Sequence, residues 1–401
     1  MSGVADIGGV VIVGASVAGV AAADGLRSNG FEGPVTLLEA ERHPPYDKPP
    51  LSKAALDPGW DAARGLLRSD EHFAEKRVDL RLGARVDQLH GAERVLTLKS
   101  GERLRADHVV LAPGLRARRF RWLPDLPGVH TIRTRDDSDA VRAALARRPR
   151  VVVVGGGFIG AETASVAAGM GLSVTVVEIQ ALPFQNLFGA EVAGVLAGWH
   201  RDAGVELATG VGVRTLHGDQ RGVEGVELAD GRVIPADLVI LGLGGEPAIE
   251  WLAGSGVEVR EGIVCDEHGR SSVPRVWAAG DAAEWRDPAT GLSRRIEHWT
   301  TAKEQGAAVA HAIVRPDEAP RELTVPYFWS DQHGTRLQSL GSAVGHDDLR
   351  VVHGDLSGGP FVVVFLRDQR VIAALGAGAT RELMRLRDAV ASSQHWETFP
   401  Q

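Results

Sequence analysis

The sequence predicts an α/β protein with two parallel-sheet dinucleotide-binding units and a small α+β domain at the end of the chain. Three observations predict it. Two glycine-rich turns each join a hydrophobic strand to a small-residue helix. An acid closes the strand that follows each helix. A second strand-and-turn pattern, similar in both halves, then completes each unit.

The first turn reads Val11-Ile12-Val13-Gly14-Ala15-Ser16-Val17-Ala18-Gly19 and leads through an alanine-rich helix to Val35-Thr36-Leu37-Leu38-Glu39. The second reads Val151-Val152-Val153-Val154-Gly155-Gly156-Gly157-Phe158-Ile159-Gly160 and leads to Val174-Thr175-Val176-Val177-Glu178. In both, the acid lies about twenty residues past the last glycine, the spacing of a Rossmann-like unit. Glycines at these places let the backbone approach a pyrophosphate, the helix N-terminus offers amide donors, and the acid takes ribose hydroxyls. Gly14, Ser16, Ala18, Gly19 and Glu39 are therefore expected to hold one dinucleotide, and Gly155, Gly157, Gly160 and Glu178 a second. Two dinucleotides in one chain imply electron transfer between them.

The halves repeat a further pattern. Asp107–Gly114 is a buried strand running into a turn, and Gly231–Gly242 repeats the logic of Gly101–Gly114. Between the units the pattern predicts a helix over Asp70–Lys76, a strand at Val95–Leu98 and a helix over Asp136–Ala146. After the second unit come strand–turn material and a long helix. Strands at 361–366 and 371–375 and a helix from about Arg381 form the terminal domain.

The chain has 401 residues, ample for two or three domains, and no apolar run near the ~20 residues of a membrane span. Met1-Ser2-Gly3 leads directly to strand residues at Val10, so no signal peptide and a cytoplasmic location are expected. A formal charge of −8 argues against nucleic acid. One cysteine, Cys265, rules out an internal disulfide and any cysteine-ligated cluster or zinc site. Cys265 lies on a strand pattern and is read as a small buried hydrophobe.

Beyond the glycine turns, Pro44-Pro45-Tyr46-Asp47-Lys48-Pro49-Pro50-Leu51-Ser52-Lys53, Val276-Trp277-Ala278-Ala279-Gly280-Asp281-Ala282, Arg295-Ile296-Glu297-His298-Trp299 and Pro326-Tyr327-Phe328-Trp329-Ser330-Asp331-Gln332 follow in order. With these motifs the chain resembles, over nearly its whole length, the FAD-dependent NADH:ferredoxin reductases of the putidaredoxin, rhodocoxin and biphenyl-dioxygenase types. The resemblance implies a glutathione-reductase-like architecture. An FAD-binding domain (1–112 and 245–320) would be interrupted by an NAD-binding domain (113–244), with a C-terminal interface domain over 321–401.

The resemblance also assigns roles. Lys48, Gly280, Asp281, Trp299 and Trp329 join the FAD contacts. Lys53 is a cation near the flavin that favours its anionic reduced form. Glu297 and Trp299 precede a helix expected to start on a Thr301–Glu304 capping box, facing the flavin pyrimidine. Glu162, Ile159 and Gly244 belong to the nicotinamide side. The plain alternatives are a solvated Lys53, a helix-surface Glu162, a helix-capping Asp281 and a core Trp329. Three positions depart from the family pattern: Lys48 stands for an arginine, Ser16 for a glycine and Pro113 for a threonine.

No Lys or Arg follows Glu178 until Arg201, so NADH is expected over NADPH. Without a cysteine pair, the flavin must hand its electrons to something outside the chain, which it can do one at a time; the resemblance implies an iron–sulfur ferredoxin as acceptor and an oxygenase beyond it. Alternative acceptors are a rubredoxin or a small oxidant, and a binding role like that of apoptosis-inducing factor is a distant third. Ferredoxins are generally acidic, so Arg116, Arg118, Arg119, Arg121, Arg294 and Arg295 are read as a docking field, or else as domain-edge caps. A monomer or weak dimer without a metal is expected.

Overall fold

A computed structural model describes residues 4–288, 291–319 and 321–399. The chain divides into two compact units, one of residues 1–47, 63–116 and 246–324, the other of residues 48–62, 117–245 and 325–401.

The first unit is built on a five-stranded parallel sheet in the order Val276–Ala278, His108–Leu111, Val10–Val13, Val35–Leu38, Val78–Arg81. Val10–Val13 and Val35–Leu38 are buried throughout, as continuous apolar strands of a sheet covered on both faces must be. Helix Val17–Ser28 packs against helix Trp299–Val314. Their close approach requires Gly306, where a Cβ would lie 2.2 Å from the Ala18 carbonyl oxygen.

The second unit repeats this design in the order Val129–His130, Leu238–Leu241, Val151–Val154, Val174–Glu178, Glu206–Thr209, again all parallel. The central four strands follow one scheme in both sheets, with the edge strand drawn from later in the chain in the first and from earlier in the second. Helices Phe158–Gly169 and Gln185–Asp202 belong to this unit. So does a five-stranded antiparallel sheet, in the order Tyr327–Gln332, Thr335–Gly341, Arg370–Ala377, Phe361–Arg367, Asp348–His353.

Beyond shifts of a few residues at the ends, this grouping differs from the expected boundaries in two places. Residues 48–62 go with the second unit because Ser138 Oγ donates to the Leu51 carbonyl (2.8 Å) and Arg142 Nη1 to that of Ala55 (2.9 Å). The terminal sheet shares one aromatic core with helices Phe158–Gly169 and Gln185–Asp202: Phe158 meets Phe328 at 4.7 Å between ring centroids, and Phe188 meets Phe365 at 6.0 Å. Aromatic rings bury so much apolar area that such a seam binds two layers into one body.

Candidate functional site

In the first unit, strand Val10–Val13 ends at Gly14, which has φ +99°, and a Cβ there would lie 2.1 Å from the Ala112 carbonyl oxygen. Gly19, one turn into the helix, would bring a Cβ to 1.9 Å from the Gly14 carbonyl. Only glycine fits either place, and the backbone is left bare for a ligand. Helices Asp70–Glu75 and Arg135–Leu145 carry side-chain N-caps from Ser69 and Thr134, whereas Val17–Ser28 starts at Ser16 without one. Its first-turn amides are thus open to an outside acceptor, as anion binding demands. Glu39 reaches back to this loop and accepts from the amides of Ala15 (2.8 Å) and Glu41 (2.9 Å).

The Gly280–Asp281 turn follows strand Val276–Ala278 on the neighbouring side of the same sheet. Gly280 has φ +82°, and a Cβ there would sit 3.0 Å from the Ala18 Cβ, so this turn meets the first glycine loop. Gln305, buried on helix Trp299–Val314, holds the Gly280 amide at 2.8 Å. The Asp281 carbonyl accepts from Arg295 Nη1 at 3.0 Å.

The helix after Glu297 begins two residues before the expected capping box. Its N-cap is His298, in extended conformation and without a side-chain cap. Thr301 is buried within the first turn, and Glu304 turns away to accept from the amide (2.9 Å) and hydroxyl (2.6 Å) of Thr324. The helix register is governed by its small-residue face against Ala18 and Ala22, which outweighs a local cap. Trp299 Nε1 donates to Asp47 Oδ1 at 2.6 Å, and the Lys303 ammonium lies 5.5 Å from the Trp299 ring centre. Burial pushes the Asp47 carboxyl above the usual carboxylate range, opposed by the Trp299 bond, and burial holds the His298 imidazole down to about 4. Glu297 is partly exposed and pairs with Arg295 at 2.8 Å.

In the second unit, Gly155 has φ +100° and a Cβ there would come 2.4 Å from the Gly242 carbonyl. Gly160 would meet the Gly155 carbonyl at 2.0 Å, while Gly157 has open space around its Cβ position. Helix Phe158–Gly169 has no side-chain N-cap. Glu178 is buried and accepts from the amides of Gly156 (2.7 Å) and Gln180 (2.9 Å), repeating Glu39 in its loop. Phe158 turns into the aromatic core while Ile159 is 40% exposed at the helix start. Gly244, with φ +80° and open space at its Cβ position, accepts from the Arg118 amide.

The strongest electrostatic feature lies in this unit. Glu162 is 3% exposed, which removes the helix-surface alternative. Lys53 Nζ stands 3.0 Å from its Oε1, so Lys53 is an ion-paired residue and no solvated surface lysine. Ser330 Oγ donates to Oε1 at 2.6 Å and Ser52 Oγ to Oε2 at 2.5 Å. Burial pushes the Glu162 carboxyl upward, while Lys53 and the two hydroxyls act against that shift. Lys48 opens the Pro49–Ser52 turn, its carbonyl accepting from Leu51. Trp329, half-buried on strand Tyr327–Gln332, stacks on Tyr327 at 6.0 Å.

Sequence reasoning missed Asp47, Ser52, Gln305 and Ser330 as partners of the site residues. Asp47, Ser52 and Ser330 stand inside motifs the sequence already displays, but nothing local marks Gln305. Of the arginines expected to form a docking field, Arg116 pairs with Glu246 and Glu250, Arg119 with Asp125, Arg294 with Asp287, and Arg295 with Glu297. Their free positive charge is correspondingly smaller than a count of arginines implies. Cys265 is buried on strand Ile263–Cys265, and burial pushes its thiol well above the usual range.

Comparison with known proteins agrees with this geometry. The sequence profile of the pyridine nucleotide-disulphide oxidoreductases matches residues 8–306, and the reductase C-terminal profile matches residues 327–398. A ferredoxin–NAD(P)+ reductase of Sphingomonas sp. is 37% identical over 398 residues, covering 98% of this chain and 95% of that protein. The ferredoxin reductase subunit of a 5,5'-dehydrodivanillate O-demethylase from Sphingobium sp. is 38% identical, covering 95% and 92%. The covalent putidaredoxin reductase–putidaredoxin complex superposes with a TM-score of 0.92 at 32% identity, over 96% of this chain and 93% of that one. Two glycine loops of one design, each with its carboxylate bound to the loop, and a terminal antiparallel sheet place the chain in the pyridine nucleotide-disulphide oxidoreductase family, among the ferredoxin reductases.

Proposed function

We propose that this protein oxidises NADH and reduces an iron–sulfur ferredoxin that serves an oxygenase. The observation that carries the reading is the duplicated pair of bare glycine loops, each facing an uncapped helix and an anchored carboxylate, in a chain with one buried cysteine. The relatives support it: one is named as a ferredoxin–NAD(P)+ reductase, and others as the ferredoxin reductase parts of a demethylase and a dioxygenase. FAD, when bound, takes a hydride and releases electrons singly.

The chain's residues fit the group. Gly14, Ser16, Ala18 and Gly19 receive a pyrophosphate on open amides, and Glu39 takes ribose hydroxyls. Lys48, Gly280, Asp281, Trp299 and Trp329 are assigned to FAD, with residues 1–112 and 245–320 as its domain. Residues 113–244 take NADH through Gly155, Gly157, Ile159, Gly160, Glu178 and Gly244, and residues 321–401 form the interface domain. Lys53 supplies positive charge where negative charge develops, and Glu162 holds it there. Trp299 is oriented by Asp47, while Glu297 stands at the open end of its helix. The protein works as a monomer or weak dimer in the cytoplasm. No described helix is long and apolar enough to cross a membrane.

Anaerobic titration tests this reading. Purified protein should show a flavin spectrum, bleach with one equivalent of NADH and pass electrons to a ferredoxin at micromolar concentration. Protein that neither carries nor takes up FAD, or that reduces dyes and leaves ferredoxin untouched, overturns it.

A further inference from the structure

Glu162 receives more donors than an ion pair with Lys53 requires. Both carboxylate oxygens are occupied: Oε1 by Ser330 Oγ and Lys53 Nζ, Oε2 by Ser52 Oγ. Ser330 is fully buried, and its hydroxyl oxygen in turn accepts from Gln332 Nε2 at 3.0 Å. A hydroxyl has one hydrogen. With Gln332 filling an acceptor position on Ser330, that hydrogen is directed at Glu162. Ser52 and Ser330 come from the Pro49–Ser52 turn and the terminal sheet, on opposite sides of the glutamate in sequence, and each donates its hydroxyl hydrogen to the carboxylate. An isolated buried carboxylate is costly, and hydrogen bonds to its charged form are what retain the charge.

We infer that Ser330 and Ser52 are positioning residues that keep Glu162 as a carboxylate and thereby keep Lys53 in place. The terminal sheet then contributes directly to the electrostatics of the Lys53–Glu162 pair, through Ser330 and the Gln332 behind it. This rests on the proposed flavin reduction by NADH for one of its two readouts only.

The charged and titratable groups around Glu162 are few. Lys53 faces it from the turn. On the strand, Asp331 is paired with Arg336 at 2.7 Å. Beyond the strand's end His333 bonds His200 at 2.9 Å, with burial lowering both imidazoles and His200 reaching about 4. The sign of the expected effect follows from Glu162 having a raised folded pKa. Such a group contributes stability that is lost as pH rises through that value. Removing a hydroxyl donor raises the folded pKa further, because a bond to the charged form is lost.

The experiment compares thermal midpoints of the flavin-loaded wild type, Ser330→Ala and Ser52→Ala at pH 5 and pH 8. Each alanine variant should lose more at pH 8 than at pH 5, relative to wild type, and the acid limb of flavin reduction by NADH should move to higher pH. Ser330→Cys keeps the site filled with a slightly larger, weaker donor. It should fall between wild type and alanine, and it provides the Ser330 test if the alanine variant does not fold. Equal losses at both pH values with an unmoved acid limb would reduce the serines to packing and overturn the inference. If NADH fails to reduce even the wild-type flavin, the proposed function falls, while the pH dependence of the midpoints still decides the role of the serines.

Discussion

Glu178 is the single side chain in which the fold meets the expected cofactor preference. Its carboxylate accepts from the Gly156 and Gln180 amides, so it is fixed against the glycine loop before any ligand arrives. A ribose 2′-phosphate would meet that buried negative charge with no Lys or Arg in the chain between Glu178 and Arg201. Replacing Glu178 by Ala should cost about 1.5–3 kcal/mol of NADH interaction, roughly ten- to a hundred-fold in kcat/KM. Adding an arginine at a neighbouring exposed position such as Ile179 should move preference towards NADPH. Steady-state kinetics with both nucleotides decide it, and a wild type indifferent to the 2′-phosphate would remove Glu178 from this role. Glu39 is held by its loop in the same way, so the two acids were legible as a pair from their spacing alone.

At the scale of elements, the contact between helices Val17–Ser28 and Trp299–Val314 carries the first glycine loop. Gly306 packs on the backbone of Ala18 and Ala22, where an added Cβ would lie 2.2 Å from the Ala18 oxygen and 3.1 Å from the Ala22 nitrogen. Backbone atoms cannot yield as a flexible side chain does. Gly306→Ala should therefore push the helices apart at a cost of about 1–3 kcal/mol, lower the midpoint of thermal unfolding and weaken flavin retention, because Ala18 lies in the loop. Calorimetry together with the flavin-to-protein absorbance ratio checks both effects. A variant with unchanged midpoint and full flavin would show that the helices have slack. The same contact explains why the Thr301–Glu304 pattern misled: a capping box is worth about 1 kcal/mol, less than the burial that sets the register of this helix.

For the whole molecule, charge is the relevant quantity. The chain carries −8 overall, and several arginines that read as a docking field are neutralised by nearby carboxylates. Electron transfer to an acidic ferredoxin should still slow as salt rises, since steering acts on association, but with a shallow slope. Hydride transfer from NADH should barely change. Stopped-flow traces of the two half-reactions between low and high ionic strength separate them. A steep salt dependence of the ferredoxin step would point to free cations elsewhere on the surface, and equal loss in both steps would mean that salt acts on the protein's integrity.

By itself the sequence determined the two glycine loops, the acid after each, the duplicated parallel sheets and the terminal α+β sheet. These are written in spacings of a few to about twenty residues, over which backbone geometry is nearly independent of context. Only the tertiary structure decided that Ser52 and Ser330, 110 and 168 residues from Glu162, share its carboxylate. The same holds for Asp47 and Trp299, 252 residues apart, and for Gln305 and the Gly280 amide. A buried polar side chain is recognised by the partner it satisfies, and that partner is chosen by packing, which no local pattern records.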